Sequence, residues 1–263
     1  MWCFKTGIEL PKGELSFVET WPLMNPNDVA FILITYLLFT FKVGPYIMEK
    51  RQPFQIKTFI VIYNVFKIIN SVILGSRFLS YVIDNGLFPR TCKYNNNTVY
   101  TIAVLYWKYM AASILDLFDT VFLVICKKYS LVTFHQAFYN VLLLITAWSC
   151  LKYDPTDQWM CTNMMSCFIH TVIYVYNALT TMEPTYAKYL WWKKYLMIVL
   201  MIQFVLVATQ VVIQASTSQC QIHAGTYWVG LLNLSLYICL LIDFHHKTYG
   251  AGEVNFTNNK YYE

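Results

Sequence analysis

Seven long apolar stretches, separated by short polar connections, set the pattern of this chain. They run near Val29–Tyr46, Phe59–Val82, Thr101–Ile125, Leu131–Leu151, Trp159–Leu179, Tyr195–Ile213 and Tyr227–Phe244. A helix needs about 20 apolar residues to cross hydrocarbon, and runs of this length exclude the strands of a membrane barrel. The pattern predicts an all-α membrane protein of about seven transmembrane helices. It forms one polytopic domain over 1–263, with an N-terminal segment at 1–28, a bundle at 29–245 and a tail at 246–263. The fourth and fifth stretches carry many polar residues, so they read either as spans or as a shorter hairpin.

Composition sharpens this picture. The chain is 57% hydrophobic and 13% charged, whereas soluble domains carry about a quarter charged residues. The net charge of +5 is scattered through short connections, which points to topology and away from a nucleic-acid partner. Met1 to Pro26 has no apolar core of a signal peptide. Alternate connections hold ten basic residues (Lys50, Arg51, Lys57, Lys127, Lys128, Lys188, Lys193, Lys194, Lys247, Lys260) against five (Lys5, Lys12, Arg90, Lys93, Lys152). The positive-inside bias then puts the N-terminus in the lumen and the C-terminus in the cytosol. Asn96-Asn97-Thr98 is a glycosylation sequon in a predicted lumenal loop; Asn255-Phe256-Thr257 would be cytosolic and bare.

Candidate chemistry concentrates between Ser113 and Asn140. Asp116, Asp119 and Thr120 share one helical face by their i, i+3, i+4 spacing, and Gln136, Tyr139 and Asn140 repeat that spacing. The two polar faces are expected to look at each other across something buried. Intramembrane acids are costly and tend to mark functional interiors; Lys67, inside the second stretch, is the candidate counter-charge. His170 and Tyr174, at i and i+4, form a further polar pair. His245 and His246 point apart on a helix and suit carbonyl capping better than a metal. No phosphate loop, dinucleotide glycines or zinc spacing occurs, so neither metal nor cofactor is expected.

The segment D-T-V-F-L-V-I-C-K-K followed by V-T-F resembles the fatty-acid elongases of the endoplasmic reticulum. So do W-P-L-M at Trp21–Met24, G-P-Y-I-M at Gly44–Met48, R-Q-P-F at Arg51–Phe54, Y-N at Tyr63–Asn64, K-Y-L-W-W-K-K-Y at Lys188–Tyr195 and Q-F at Gln203–Phe204. The resemblance implies a helical bundle around an acyl-chain tunnel in that membrane. It implies long-chain acyl-CoA and malonyl-CoA as substrates, contact with membrane lipid, and homo- or hetero-oligomers with other elongases. It also implies a lumenal disulfide between Cys92 and Cys220; Cys126, Cys150, Cys161, Cys167 and Cys239 read as packing residues.

Position by position the resemblance is uneven. The family's K-x-x-E-x-x-D-T motif falls on Ser113, Asp116, Asp119 and Thr120, so its lysine is lost and its glutamate shortened. Its H-x-x-H-H box falls on Gln136, Tyr139 and Asn140, with no histidine left. Its H-x-x-M-Y-x-Y-Y motif keeps His170, Tyr174 and Tyr176, and its T-x-x-Q-x-x-Q motif keeps only Gln203. Catalytic roles therefore fall to His170, Asp116 and Asp119, with His135, one residue before the box, as either an interface histidine or a displaced nucleophile. Substrate contacts fall to Thr120, Gln136, Tyr139, Asn140, Tyr174, Tyr176, Gln203 and Lys67. An amide cannot carry an acyl group or shuttle a proton as imidazole can. Two functions stay open: an elongase-type 3-oxoacyl-CoA synthase, or a non-catalytic homologue that binds acyl-CoA or partners an active elongase.

Overall fold

The computed structural model describes residues 15–87, 96–132, 134–153, 155–182, 193–217 and 224–245. Among these every regular element is helical. Seven long helices follow one another: α1 Pro26–Glu49, then α2 Lys57–Asn85, α3 Asn96–Ile125, α4 Phe134–Tyr153, α5 Met160–Met182, α6 Lys193–Thr217 and α7 Ala224–His245. Each overlaps one predicted stretch. Of these, α1 and α2 are long and apolar enough to cross a membrane, and α6 and α7 carry the shorter apolar stretches Ile198–Ile213 and Gly230–Cys239.

Local chemistry explains the helix ends and irregularities. The Asn25 side chain accepts a hydrogen bond from the Asn27 amide, and Pro26 opens α1, where a missing N–H does no harm. Within α1, Phe39–Val43 winds as a π-turn. Pro45 is the reason: it has no N–H for the Phe41 carbonyl, and its ring crowds that carbonyl. Helix α3 stops in a hydrogen-bonded cap, with Lys127 N–H donating to the Val124 carbonyl at 3.0 Å and Lys128 N–H to the Leu123 carbonyl at 2.9 Å. Lys127 takes the left-handed φ of 56° that this cap requires.

Buried residues on α2 fall at Asn64, Lys67, Ser71, Leu74, Gly75, Phe78 and Val82, the three-to-four spacing of a single inward stripe. Its other faces expose Ile62, Phe66, Ile69, Ile73 and Ile83. An apolar exterior over a partly polar interior suits lipid better than water. Helix α2 packs most extensively against α5, and α3 against α4. The α2–α5 seam is close because Gly75 has no side chain: a Cβ there would lie 3.1 Å from Cys167 Cβ.

The remaining contacts close a ring. Helix α2 meets α3, α3 meets α4, α4 meets α7, α7 meets α6, α6 meets α5 and α5 returns to α2; α1 packs outside, against α3 and α4. The hairpin that the sequence left open for the fourth and fifth stretches does not form, since α5 takes α2 as its main neighbour. At one end of the ring the N-terminal segment docks. Val18 and Met24 are buried, Trp107 Nε1 donates to the Pro22 carbonyl at 3.2 Å, and Lys152 Nζ donates to the Met24 carbonyl at 3.0 Å.

Two expectations meet the structure differently. The sequon was expected in a loop, but Asn96 is the first residue of α3 and Thr101 Oγ1 already donates to the Asn97 carbonyl. Thr101 thus bonds back within the helix rather than ending it. Cys92 and Cys220 lie outside the described residues. Cys126, Cys150, Cys161, Cys167 and Cys239 are free thiols.

Candidate functional site

Four helices bring their polar residues to one level of the ring. Lys67 on α2 reaches across to α3, where its Nζ lies 2.8 Å from Asp116 Oδ1 and 2.6 Å from Asp119 Oδ2. The Lys67 side chain is only 3% exposed. It also sits 3.9 Å over the Tyr174 ring, a cation–π contact that further offsets its desolvation. Two carboxylates spaced i, i+3 on α3 thus share one ammonium from a neighbouring helix. Asp116 is buried almost as deeply as the ammonium and depends on it most, while Asp119 is only partly buried.

Asp116 is the hub. Besides Lys67 it accepts a short hydrogen bond from the Tyr174 hydroxyl, and His170 Nδ1 lies 3.6 Å from its Oδ2. Tyr174 Oη is also 3.2 Å from His170 Nδ1, and the other face of the imidazole, Nε2, is 3.1 Å from the Tyr139 hydroxyl. Because Tyr174 gives its proton to Asp116, its oxygen can only accept from His170. That places the imidazole proton on Nδ1 and leaves Nε2 to accept from Tyr139. The chain of donors therefore runs in one direction: Tyr139 to His170, His170 to Tyr174, Tyr174 to Asp116.

Beside this cluster lies a partly open cavity. Its walls include Tyr109, Tyr139, Ser166, Gln203, Phe204 and Tyr237. Of the relay residues, Tyr139 is the one on that wall; His170 stands behind it. The Tyr139 ring packs 5.1 Å from Tyr237, which stacks 4.9 Å from Phe204. Gln203 Nε2 donates to Ser166 Oγ at 2.9 Å, so this retained glutamine holds α6 to α5 at the cavity edge.

The structure brings together Lys67, Asp116, Asp119, Tyr139, His170 and Tyr174. Asn140 joins them through the backbone, its Nδ2 donating to the Asp116 carbonyl at 3.2 Å. Thr120 is fully buried, and its hydroxyl accepts from Tyr36 of α1 at 3.0 Å. Tyr176 is half-buried and Gln136 is exposed, so the second polar face does not meet the first along its whole length. His135 belongs to α4, with its side chain outside the described residues. Ser113, where the resembled motif has lysine, is buried and bonds back to the Tyr109 carbonyl.

Some site residues carried no clear sequence signal. Tyr36 sits in a largely apolar run, and Tyr237 and Phe204 look like ordinary apolar positions. One signal was available: Asn163, Ser166, His170, Tyr174 and Asn177 form a polar stripe at helical spacing along α5. Its first two members line the cavity.

Comparison with known proteins bears on the whole chain. The family described as "ELO: GNS1/SUR4 family" matches residues 21–255. Very long chain fatty acid elongase 7 of Rattus norvegicus is 30% identical over 249 residues, covering 90% of this chain and 86% of the relative. Very long chain fatty acid elongase 4 of Homo sapiens is 30% identical over 236 residues, covering 88% and 74%. Very long chain fatty acid elongase 1 of Mus musculus is 31% identical over 210 residues, covering 77% and 74%. With a family match over residues 21–255 and a relative 30% identical over 90% of the chain, the chain belongs to the ELO (GNS1/SUR4) family.

Proposed function

We propose that this protein is an elongase-type 3-oxoacyl-CoA synthase of fatty acid elongation. It joins a long-chain acyl-CoA to malonyl-CoA and yields 3-oxoacyl-CoA, coenzyme A and carbon dioxide. The observation that carries this reading is the buried Lys67–Asp116–Asp119–His170–Tyr174 cluster beside a cavity, in a chain of this family. In this reading the acyl chain lies within the ring, with Gln203, Tyr139 and Tyr176 as contacts, and the thioester rests against Tyr139. His170 moves the proton; Asp116, held by Lys67, fixes the imidazole tautomer and supports its charged form. Asp119 keeps Lys67 in place, and Thr120 and Asn140 fix the α3 face on which both acids stand. The protein would work in the endoplasmic reticulum membrane, with a lumenal N-terminus and a cytosolic C-terminus, alone or beside other elongases.

A second reading is favoured by one observation: positions 136, 139 and 140 hold Gln, Tyr and Asn. On that ground the protein would bind acyl-CoA or accompany an active elongase without condensing anything itself. The two part in one assay. Purified full-length protein is given labelled malonyl-CoA and a series of acyl-CoA chain lengths, with His170→Ala and His135→Ala alongside. Labelled 3-oxoacyl-CoA lost with His170→Ala supports the first reading. Absence of product at every chain length, with acyl-CoA still bound, supports the second.

A further inference from the structure

We infer that Tyr139 is the acyl-carrying nucleophile of this chain, with His170 as its general base. The inference rests on the acyl-CoA reading above and deepens it. Three features of geometry point to it. Tyr139 is the one relay residue that lines the cavity, so it stands between an entering thioester and His170. That hydroxyl is 3.1 Å from His170 Nε2, within reach for direct proton transfer. His170 in turn is oriented through Tyr174 and Asp116, and Asp116 is held by Lys67. Nucleophile, base and orienting acid stand in the order that activated nucleophiles require.

The other candidates at this level are otherwise engaged. Asn140 donates its amide to the Asp116 carbonyl, Gln136 is exposed, and both His170 nitrogens already have partners. Phenol chemistry also fits an acyl carrier between two thioesters. A phenol has a reference pKa of about 10 and a thiol about 8.5. As free groups in water they are therefore leaving groups of similar basicity, and acyl transfer from thiol to phenol is far closer to balance there than transfer to an aliphatic hydroxyl. A serine ester, with its far more basic alkoxide, would hold the acyl group as a trap.

The first half-reaction begins when the Tyr139 oxygen attacks the thioester carbonyl and its proton passes to His170 Nε2. The carbon–sulfur bond then breaks, and the departing coenzyme A thiolate takes that proton and leaves as the thiol. An O-acyl-tyrosine remains. In the second half, malonyl-CoA loses carbon dioxide, and the electron pair left on its C2 attacks the ester carbonyl. The ester carbon–oxygen bond breaks and the 3-oxoacyl-CoA departs. Tyr139 leaves as phenolate and is reprotonated through His170 by a proton from solvent.

The test is to incubate the purified full-length protein with stearoyl-CoA in the absence of malonyl-CoA, quench it in acid and map the acyl group by peptide mass. A thioether analogue of stearoyl-CoA, which cannot transfer its chain, measures binding in parallel. The expected result is one acyl increment on Tyr139, released by hydroxylamine and discharged by malonyl-CoA. Tyr139→Phe should abolish it while still binding the analogue, since the ring contact with Tyr237 is kept. His170→Gln should slow acylation about a hundredfold or more, the scale of general-base catalysis. An acyl group found on His135 or His170, or no adduct although the analogue binds, overturns the nucleophile assignment and leaves the acyl-CoA reading standing. Failure of the wild-type protein to bind the analogue overturns both.

Discussion

Lys67 on α2 lies 2.6 Å from Asp119 Oδ2 and 2.8 Å from Asp116 Oδ1, so one ammonium from a neighbouring helix balances two acids on α3. The resembled motif has its lysine on α3 itself, at the position of Ser113. In this chain the cation beside these carboxylates comes from α2 instead.

Removing Lys67 should therefore be costly, and restoring a local lysine should compensate. Lys67→Leu leaves the buried Asp116 and the partly buried Asp119 without their counter-charge, although Tyr174 still donates to Asp116; breaking a buried pair typically costs about 3–5 kcal/mol. The expected outcome is a clear drop in melting temperature in detergent micelles. Ser113→Lys in the Lys67→Leu background should recover most of it, because residue 113 stands one turn from Asp116 on the same face. A double variant no more stable than the single one would show that the two lysine positions are not equivalent.

The α2–α5 seam offers a second prediction. Gly75→Ala places a methyl 3.1 Å from Cys167 Cβ, so the helices must part by a few tenths of an ångström. We expect destabilisation of about 1–3 kcal/mol, the range for overpacked interiors. Cys167→Ala should give no relief, because the obstructing atom is Cβ and not the thiol. Thermal unfolding of Gly75→Ala with and without Cys167→Ala checks both statements.

At the end of α3, Lys127 occupies a left-handed conformation, φ 56°, that costs an L-residue about 1–2 kcal/mol relative to glycine. Lys127→Gly should hold or raise the melting temperature despite losing the hydrogen bond from Nζ to the Glu49 carbonyl. Lys127→Val should lower it, since a β-branched side chain tolerates that backbone least. The pair of variants separates backbone strain from the lysine contact.

Glycosylation checks the orientation. A single glycan is expected, at Asn96, seen as one endoglycosidase-sensitive shift that Asn96→Gln removes. Because Asn96 opens α3, its occupancy should fall short of a loop sequon, as the acceptor must be reached before the first turn closes. A shift that instead depends on Asn255 would reverse the assigned orientation.

The sequence by itself determined the number and approximate place of the helices, because each is a long apolar run whose backbone has no alternative to internal hydrogen bonds. It also determined the acidic face of α3, since Asp116, Asp119 and Thr120 repeat at helical spacing, and the need for Lys67 to find an anion, since a lone buried cation cannot stay unpaired. Only the tertiary structure decided which helices adjoin. The exposed surfaces of α1 and α2 are both apolar, so nothing in their pattern names a neighbour; the missing side chain of Gly75 is what lets α2 approach α5 at Cys167. Tertiary packing likewise turned Thr120 to Tyr36, left Gln136 exposed and set Tyr139 between His170 and the cavity. Those outcomes depend on helix rotation and crossing, and spacing along one helix carries no information about where the next one stands.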